Sequence, residues 1–194
     1  MKKISLSLGV LAVAAWFGST SPTYAQTPAA PVAKAAEGTV SETEAAANRA
    51  KAKEAWNQDR KTLGANEFAD LEKEYQEINT NYKTPQIKAL LQKFIDKWKT
   101  GNRVGCATLY LAQKSGGEAR ETLLKKCVGE FSDSYYLDGT QVGGLGRLFL
   151  ADFYKQAGKP DEVKKLATEL RKDFPTAQDH SRHRIVDLLE QLEK

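Results

Sequence analysis

The chain has few of the side chains that usually perform chemistry. Its 194 residues include two cysteines and two histidines. His180 and His183 lie three residues apart, and beside Asp179 there is no cysteine or second acidic residue to complete a zinc shell. We interpret the histidines as exposed polar residues at the start of a helix rather than as part of a metal site. The sequence therefore implies no metal ion and no cofactor.

Catalytic patterns are also missing. No Ser–His–Asp order, paired-carboxylate signal or haem motif stands out. The glycine-rich stretch over 143–146 opens a helix, but it lacks the preceding strand and the lysine or acidic residue of a phosphate-binding loop. Close packing against a neighbouring helix is the simpler interpretation. A cysteine nucleophile with a histidine partner brought close by the fold is the remaining catalytic alternative, and the sequence favours a protein that is not an enzyme.

The N-terminal segment, 1–25, has the pattern of a secretory signal peptide. A basic start precedes a short apolar run over 4–17, and Ala25 supplies the small residue that signal peptidase needs. The run is shorter than the roughly 20 residues of a membrane span, and no later run is long enough to cross a bilayer. We expect cleavage between Ala25 and Gln26, a periplasmic or secreted location, and no membrane span afterwards.

The chain lacks the strong excess of one charge that would suggest a nucleic-acid partner. The formal net charge is +4, and two of the positive charges belong to Lys2 and Lys3 in the signal peptide. The other charges alternate in sign along the predicted helices, as they do on solvated faces. We therefore expect no binding to nucleic acid.

The rest of the chain predicts a linker and then a single α-helical domain over 41–194. Residues 26–40 are rich in alanine and proline, which is typical of a disordered linker. Ser41 with Glu44 has the pattern of a capping box. Beyond it, apolar residues recur at spacings of three and four, and no stretch alternates with a period of two. We expect a polar N-terminal helix over 41–63, a helical pair over 66–99, a hairpin over 103–131, a second hairpin over 144–175 and a capping helix over 177–193.

The second hairpin resembles a tetratricopeptide repeat. Leu150, Ala151 and Tyr154 match the leucine, the small residue and the tyrosine of the first helix in that family. Gly158 matches the glycine of the turn, and Pro175 closes the unit. A small residue lets the two helices approach closely, and an aromatic side chain fills the groove between neighbours.

The preceding hairpin is a weaker match, so the resemblance covers about residues 103–175. It shares the break over 115–117 and the terminal Phe131, but it lacks the closing proline. The resemblance implies an all-α fold of antiparallel, tetratricopeptide-like hairpins stacked into a short right-handed array with a C-terminal capping helix. It implies binding to a partner rather than a chemical reaction.

A long loop over 132–144 separates the two hairpins. Long loops are often functional, and tyrosine offers both apolar area and a polar tip. One interpretation is that Tyr135 and Tyr136 fold back and plug the gap between the hairpins. The other is that Tyr135, Tyr136, Asp138 and Gln141 form a surface that recognises a partner.

The two cysteines, Cys106 and Cys127, lie on the two helices of the first hairpin. A pair of cysteines in an exported protein tends to form a disulfide. Each lies about ten residues from the centre of the turn, so the two sit at the same height in an antiparallel hairpin. We predict a disulfide between them; the alternative is two buried free thiols that act as small hydrophobic side chains.

Two functions remain open. The first is an exported, non-catalytic helical-repeat protein that binds a protein or peptide partner in the cell envelope. The second is a small-ligand or cell-wall binding domain that uses the 132–144 loop. An apolar groove left open between hairpins would favour the first, and a closed pocket under Tyr135 and Tyr136 would favour the second.

Overall fold

The computed structural model describes residues 38–193. The predicted signal peptide and the predicted linker as far as residue 37 lie outside the described residues. Within 38–193 the chain is all-α, with no β-strand and only isolated backbone bridges. Its eight helices are α1 (Glu42–Thr62), α2 (Ala65–Thr80), α3 (Ile87–Trp98), α4 (Asn102–Gln113), α5 (Gly117–Val128), α6 (Val142–Gln156), α7 (Pro160–Asp173) and α8 (Ile185–Leu192).

From α2 to α8, each helix packs against the next one along the chain. In addition, α6 contacts both α4 and α8. The centre of the core is formed by α4 and α6: all residues from Asn102 to Ala112 are buried in α4, as are all residues from Val142 to Ala151 in α6. Both helices carry apolar or small residues on nearly every face, which is the pattern of a helix surrounded by others.

Glycines allow these central helices to approach their neighbours. A β-carbon placed on Gly144 would lie 2.8 Å from the β-carbon of Ala177, and one placed on Gly105 would lie 2.3 Å from the Ser134 hydroxyl oxygen. The glycine-rich stretch over 143–146 therefore serves close packing, as its sequence context predicted.

The N-terminal helix α1 begins with the predicted capping box. The Ser41 hydroxyl accepts a hydrogen bond from the Glu44 N–H (3.2 Å), and the Glu44 carboxylate accepts one from the Ser41 N–H (2.8 Å). The helix then buries a single narrow stripe at spacings of three and four residues. That stripe consists of Ala45, Asn48, Ala52, Trp56 and Asp59.

The predicted capping helix over 177–193 is too long, because α8 begins only at Ile185. One carboxylate oxygen of Asp179 accepts hydrogen bonds from the N–H groups of Ser181 and His183, both at 2.8 Å. This side chain satisfies the backbone locally and competes with helix formation. Residues 177–184 therefore form a turn, and both histidines lie in that turn rather than in a helix.

This C-terminal turn also holds the first described residues of the chain. The Val40 N–H donates to the Arg182 carbonyl oxygen (3.0 Å), the Arg184 N–H donates to the Gly38 carbonyl oxygen (2.9 Å), and Val40 is buried. Residues 38–40, which the sequence assigned to the end of the linker, thus lie against the domain.

The predicted disulfide is wrong: within the described chain, Cys106 and Cys127 are both buried and free. The Sγ of Cys106 donates to the Tyr135 carbonyl oxygen (3.3 Å). Cys127 instead lies against α6. A β-carbon placed on Gly146 of that helix would be 3.0 Å from the β-carbon of Cys127. Equal height in a hairpin does not fix the rotation of each helix about its axis. Because α5 packs against both α4 and α6, Cys127 is buried against α6.

Candidate functional site

Tyr135 anchors the long loop to two helices. Its carbonyl oxygen accepts hydrogen bonds from Trp56 Nε1 (2.6 Å) on α1 and from Asn102 Nδ2 (3.0 Å) on α4. The Tyr135 N–H donates to the Asn102 side-chain oxygen at 2.7 Å. Tyr135 is only 7% exposed, and burial raises the pKa of its hydroxyl to about 12. This buried tyrosine therefore links the loop to α1 and α4 within the fold.

Tyr136 is anchored in the same way. Its hydroxyl donates to the Cys106 carbonyl oxygen (2.8 Å), and its ring makes a T-shaped contact with the His180 ring, with centroids 4.8 Å apart. Burial raises the pKa of this hydroxyl well above its usual value. The contacts of both tyrosines match the interpretation of the loop as a plug.

Asp138 and Gln141 lie at different ends of the same loop. The Asp138 carboxylate accepts from the Thr140 N–H (2.9 Å) and pairs with His180 Nδ1 (2.7 Å). Burial is the largest single influence and opposes the charge of Asp138, but the hydrogen bond and attraction to His180 and the hydrogen bonds from Thr140 together outweigh it, so the Asp138 pKa is lowered. Gln141 donates to the Ser132 carbonyl oxygen (3.1 Å). Of the four predicted recognition residues, Asp138 is the exposed one, with 41% of its side chain accessible.

A buried ion pair between α1 and α4 was not predicted. Asp59 and Arg103 are 4% and 5% exposed. Arg103 Nη1 donates to Asp59 Oδ2 (2.9 Å) and Nη2 to the Glu72 carboxylate (2.5 Å), while the guanidinium lies over the Trp56 ring, 4.1 Å from its centroid. The signal in the sequence is that Asp59 falls three residues after Trp56, on the only buried stripe of a polar helix.

The same aspartate caps the start of α4. Gly101 precedes the helix and has no side chain to cap it. Asp59 accepts from the N–H groups of Asn102 (2.7 Å) and Arg103 (3.1 Å), so α1 supplies the missing acceptor. A β-carbon on Gly101 would lie 2.7 Å from Asp59 Oδ1, and its φ of +111° also favours glycine.

An open groove of about 860 Å³ runs between α3 and α5, and we call it the α3–α5 groove. Leucine side chains from α4 and α5, alanines from both walls and one proline form the apolar half of its lining. The polar half has one charged residue on each wall, Lys88 on α3 and Glu118 on α5, and three uncharged polar residues. The full lining is Pro85, Lys88, Ala89, Gln92, Leu111, Ser115, Glu118, Ala119, Thr122 and Leu123.

A second concavity, of about 650 Å³, lies where the end of α1 meets the segments that precede α4 and α6; we call it the loop cleft. It includes the first three residues of the predicted 132–144 loop. Its lining mixes aromatic, hydroxyl and charged groups. The members from the two inter-helix segments are Lys99, Thr100, Gly101, Gly129, Glu130, Phe131, Ser132, Asp133 and Ser134, with Trp98 at the end of α3 and Asn102 at the start of α4 beside them.

Two further observations concern residues 38–193 alone. No helix in this part of the chain is both long enough and apolar enough to cross a membrane. No three histidine, cysteine, aspartate or glutamate side chains there are grouped so that they could hold a metal ion.

Comparisons of the chain with protein-family models, with curated proteins and with solved structures found no match.

Proposed function

We propose that the chain is an exported, non-catalytic helical-repeat protein that binds a protein or peptide partner in the cell envelope, and that the α3–α5 groove is its binding surface. The groove is the observation that carries this proposal. Its two walls are helices, five of its ten lining residues are apolar, and its two charged residues lie on opposite walls. An amphipathic helix or an extended segment of a partner fits such a surface.

The proposal includes a tetratricopeptide-like arrangement of the hairpins α4–α5 and α6–α7, with α8 as the cap of a right-handed array. The packing supports it, because α6 contacts α4 before it and α8 after it, as the first helices of stacked hairpins do. Ala151 and Tyr154, which carry the resemblance in the sequence, are both buried. A helical array of this kind binds its partners through exposed grooves between helices.

The floor of the groove is buried, but residues on both of its walls are exposed to a partner. Leu111 belongs to the buried part of α4, whereas Ala89 and Ala119 on the walls are exposed. Small wall residues leave room for the side chains of a partner. Lys88 and Glu118 favour a partner with an acidic group toward α3 and a basic group toward α5.

Site-specific photocrosslinking in intact cells tests this proposal. A photoreactive amino acid at Ala119 should give a discrete crosslinked protein. The same amino acid at Thr168, an exposed position of α7, is the matched control and should give none. Crosslinks that arise equally from both positions, or only from Thr168, would contradict the groove as the binding surface.

The second candidate function, binding of a small ligand or a cell-wall fragment by the 132–144 loop, is favoured by the loop cleft. Its volume of about 650 Å³ lies within the range of about 300–1,000 Å³ that is usual for ligand pockets. Lys99 and Asp133 offer opposite charges, and Ser132 offers a hydroxyl group. Soluble peptidoglycan fragments should raise the melting temperature of the wild type, and Asp133→Ala should reduce that shift.

A further inference from the structure

The helix α1 is held by a few polar anchors, each directed at the segment before a different helix. Asn48 Nδ2 donates to the Thr176 carbonyl oxygen (2.8 Å), upstream of α8. Trp56 Nε1 donates to the Tyr135 carbonyl oxygen (2.6 Å), upstream of α6. Asp59 caps the first turn of α4. The surface beneath α1 therefore recognises a defined pattern of side chains on a helix.

Further contacts hold α1 at both of its ends: the Arg103 guanidinium pairs with Asp59 and lies over the Trp56 ring, and Glu42 pairs with Arg182 (2.8 Å). The apolar side chains that it buries are Ala45, Ala52 and Trp56, and most of its other residues are exposed. Its N-terminal end adds an ion pair between Glu44 and Arg184 (3.0 Å). Contacts of this kind, made by discrete hydrogen bonds along one stripe, can be reproduced by the same helix from another molecule.

One short connection joins α1 to the rest of the domain. It consists of Leu63 (φ −94°, ψ 149°) and Gly64 (φ −63°, ψ 160°), and α2 begins at Ala65. A β-carbon on Gly64 would have no neighbour within 4 Å. If both residues became helical, α1 and α2 would form one continuous helix, and α1 would be carried away from its own domain.

We propose that the surface beneath α1 is a docking site for α1 of a second copy of this chain, so that two copies exchange their N-terminal helices. Every anchor is kept in the exchanged dimer: Trp56 and Asp59 of one copy bind the loop and cap α4 of the other. Because the contacts are the same in both forms, the conformation of Leu63 and Gly64 sets the balance between them. Gly64 disfavours the continuous helix and therefore favours the monomer.

Two substitutions at one position shift this balance in opposite directions. Gly64→Ala removes the penalty on the continuous helix and fits the open hinge without a clash. Gly64→Pro fixes φ near its present value, and the extended backbone of Leu63 suits a residue before proline. Refolded mature chain is analysed by size-exclusion chromatography with light scattering over a range of concentrations. The dimer fraction should be raised about five-fold or more by alanine and lowered by proline.

A cysteine pair identifies how the dimer is joined. Glu42 of α1 and Arg182 of the C-terminal turn form an exposed ion pair across the docking site (2.8 Å), so a short bismaleimide should join Glu42→Cys to Arg182→Cys by a covalent bond. In the isolated dimer this bond must join two chains, which gives a covalent dimer on a denaturing gel; in the monomer it lies within one chain. A chain that stays monomeric even with Gly64→Ala, or dimers whose engineered bonds all lie within single chains, would overturn the exchange. This decision does not depend on whether the proline variant folds.

Discussion

Asp59 accepts hydrogen bonds from both the backbone N–H of Arg103 (3.1 Å) and its guanidinium group (2.9 Å), so one carboxylate fixes the first turn of α4 and neutralises the charge at its start. The two residues are far apart in the chain and almost fully buried. Through them the polar helix α1 is tied to the most buried helix of the domain.

Asp59→Asn should lower the free energy of unfolding by about 3 kcal/mol. The substitution removes the more buried of the two carboxylates that compensate the Arg103 guanidinium group, and the loss of one partner from a buried ion pair is costly. Urea denaturation measures the change. Glu54→Gln is the matched control, because Glu54 pairs with Lys61 on the exposed face of the same helix, and its loss should cost at most about 1 kcal/mol. Equal effects of the two substitutions would contradict the role of the buried pair.

Alkylation should find two free thiols. The protein is unfolded without reductant, treated with iodoacetamide and weighed by mass spectrometry. Two adducts are expected, because Cys106 and Cys127 form no disulfide. Without denaturant the reaction should be slow, since burial raises the pKa of both thiols well above the usual value. A product with no adduct after unfolding would show that the two cysteines do form a disulfide.

Gly144→Ala should destabilise the domain by about 1–3 kcal/mol, because the added methyl group would overlap with Ala177 in a packed core. Thermal unfolding compares it with Gly116→Ala, whose added β-carbon has no neighbour within 4 Å. The control should change the stability by less than about 1 kcal/mol. If Gly144→Ala were as stable as the wild type, Gly144 and Ala177 would not lie as close together as described.

Acid should weaken the attachment of α1 through Glu44. Hydrogen bonds from Arg184, and then from Ser41, lower the Glu44 pKa from its ordinary value of 4.5 to about 2. A carboxylate with a lowered pKa contributes stability above pH 4.5, and this contribution is lost as the pH falls toward 2. Between these pH values the melting temperature of the wild type should therefore fall more steeply than that of Glu44→Gln. Parallel curves would show that Glu44 does not contribute.

Export stays a prediction, and the identity of the first residue of the native protein tests it. Mass spectrometry of the protein from cells should find Gln26 as the first residue, because the signal-peptide pattern ends with a small residue at Ala25. A full-length product in the membrane fraction would contradict cleavage.

Local signals predicted the helices, because each depends on residues close together in the sequence. The capping box of Ser41 and Glu44 starts α1 as expected. The turn over 177–184 was missed because Asp179 binds the N–H groups of Ser181 and His183 and so competes with a helix there.

Contacts between distant segments were the part that sequence reasoning missed. The pairing of Asp59 with Arg103 depends on how α1 lies across the domain, and no periodicity carries that information. The cysteine pairing failed because height along a hairpin is predictable from residue counts, whereas rotation about the helix axis depends on packing against α6. The tyrosine loop was left with two interpretations, and the anchoring of Tyr135 by Trp56 and Asn102 matches the plug.

The central proposal is that the α3–α5 groove, rather than the tyrosine loop, binds a partner in the envelope. Affinity capture from envelope extract with the mature chain as bait tests it most directly. Ala119→Arg fills the groove from an exposed position, and Asp138→Ala removes the exposed side chain of the loop. A partner captured by the wild type and by Asp138→Ala, but not by Ala119→Arg, is the predicted result. A partner that is lost with Asp138→Ala and kept with Ala119→Arg would contradict the proposal.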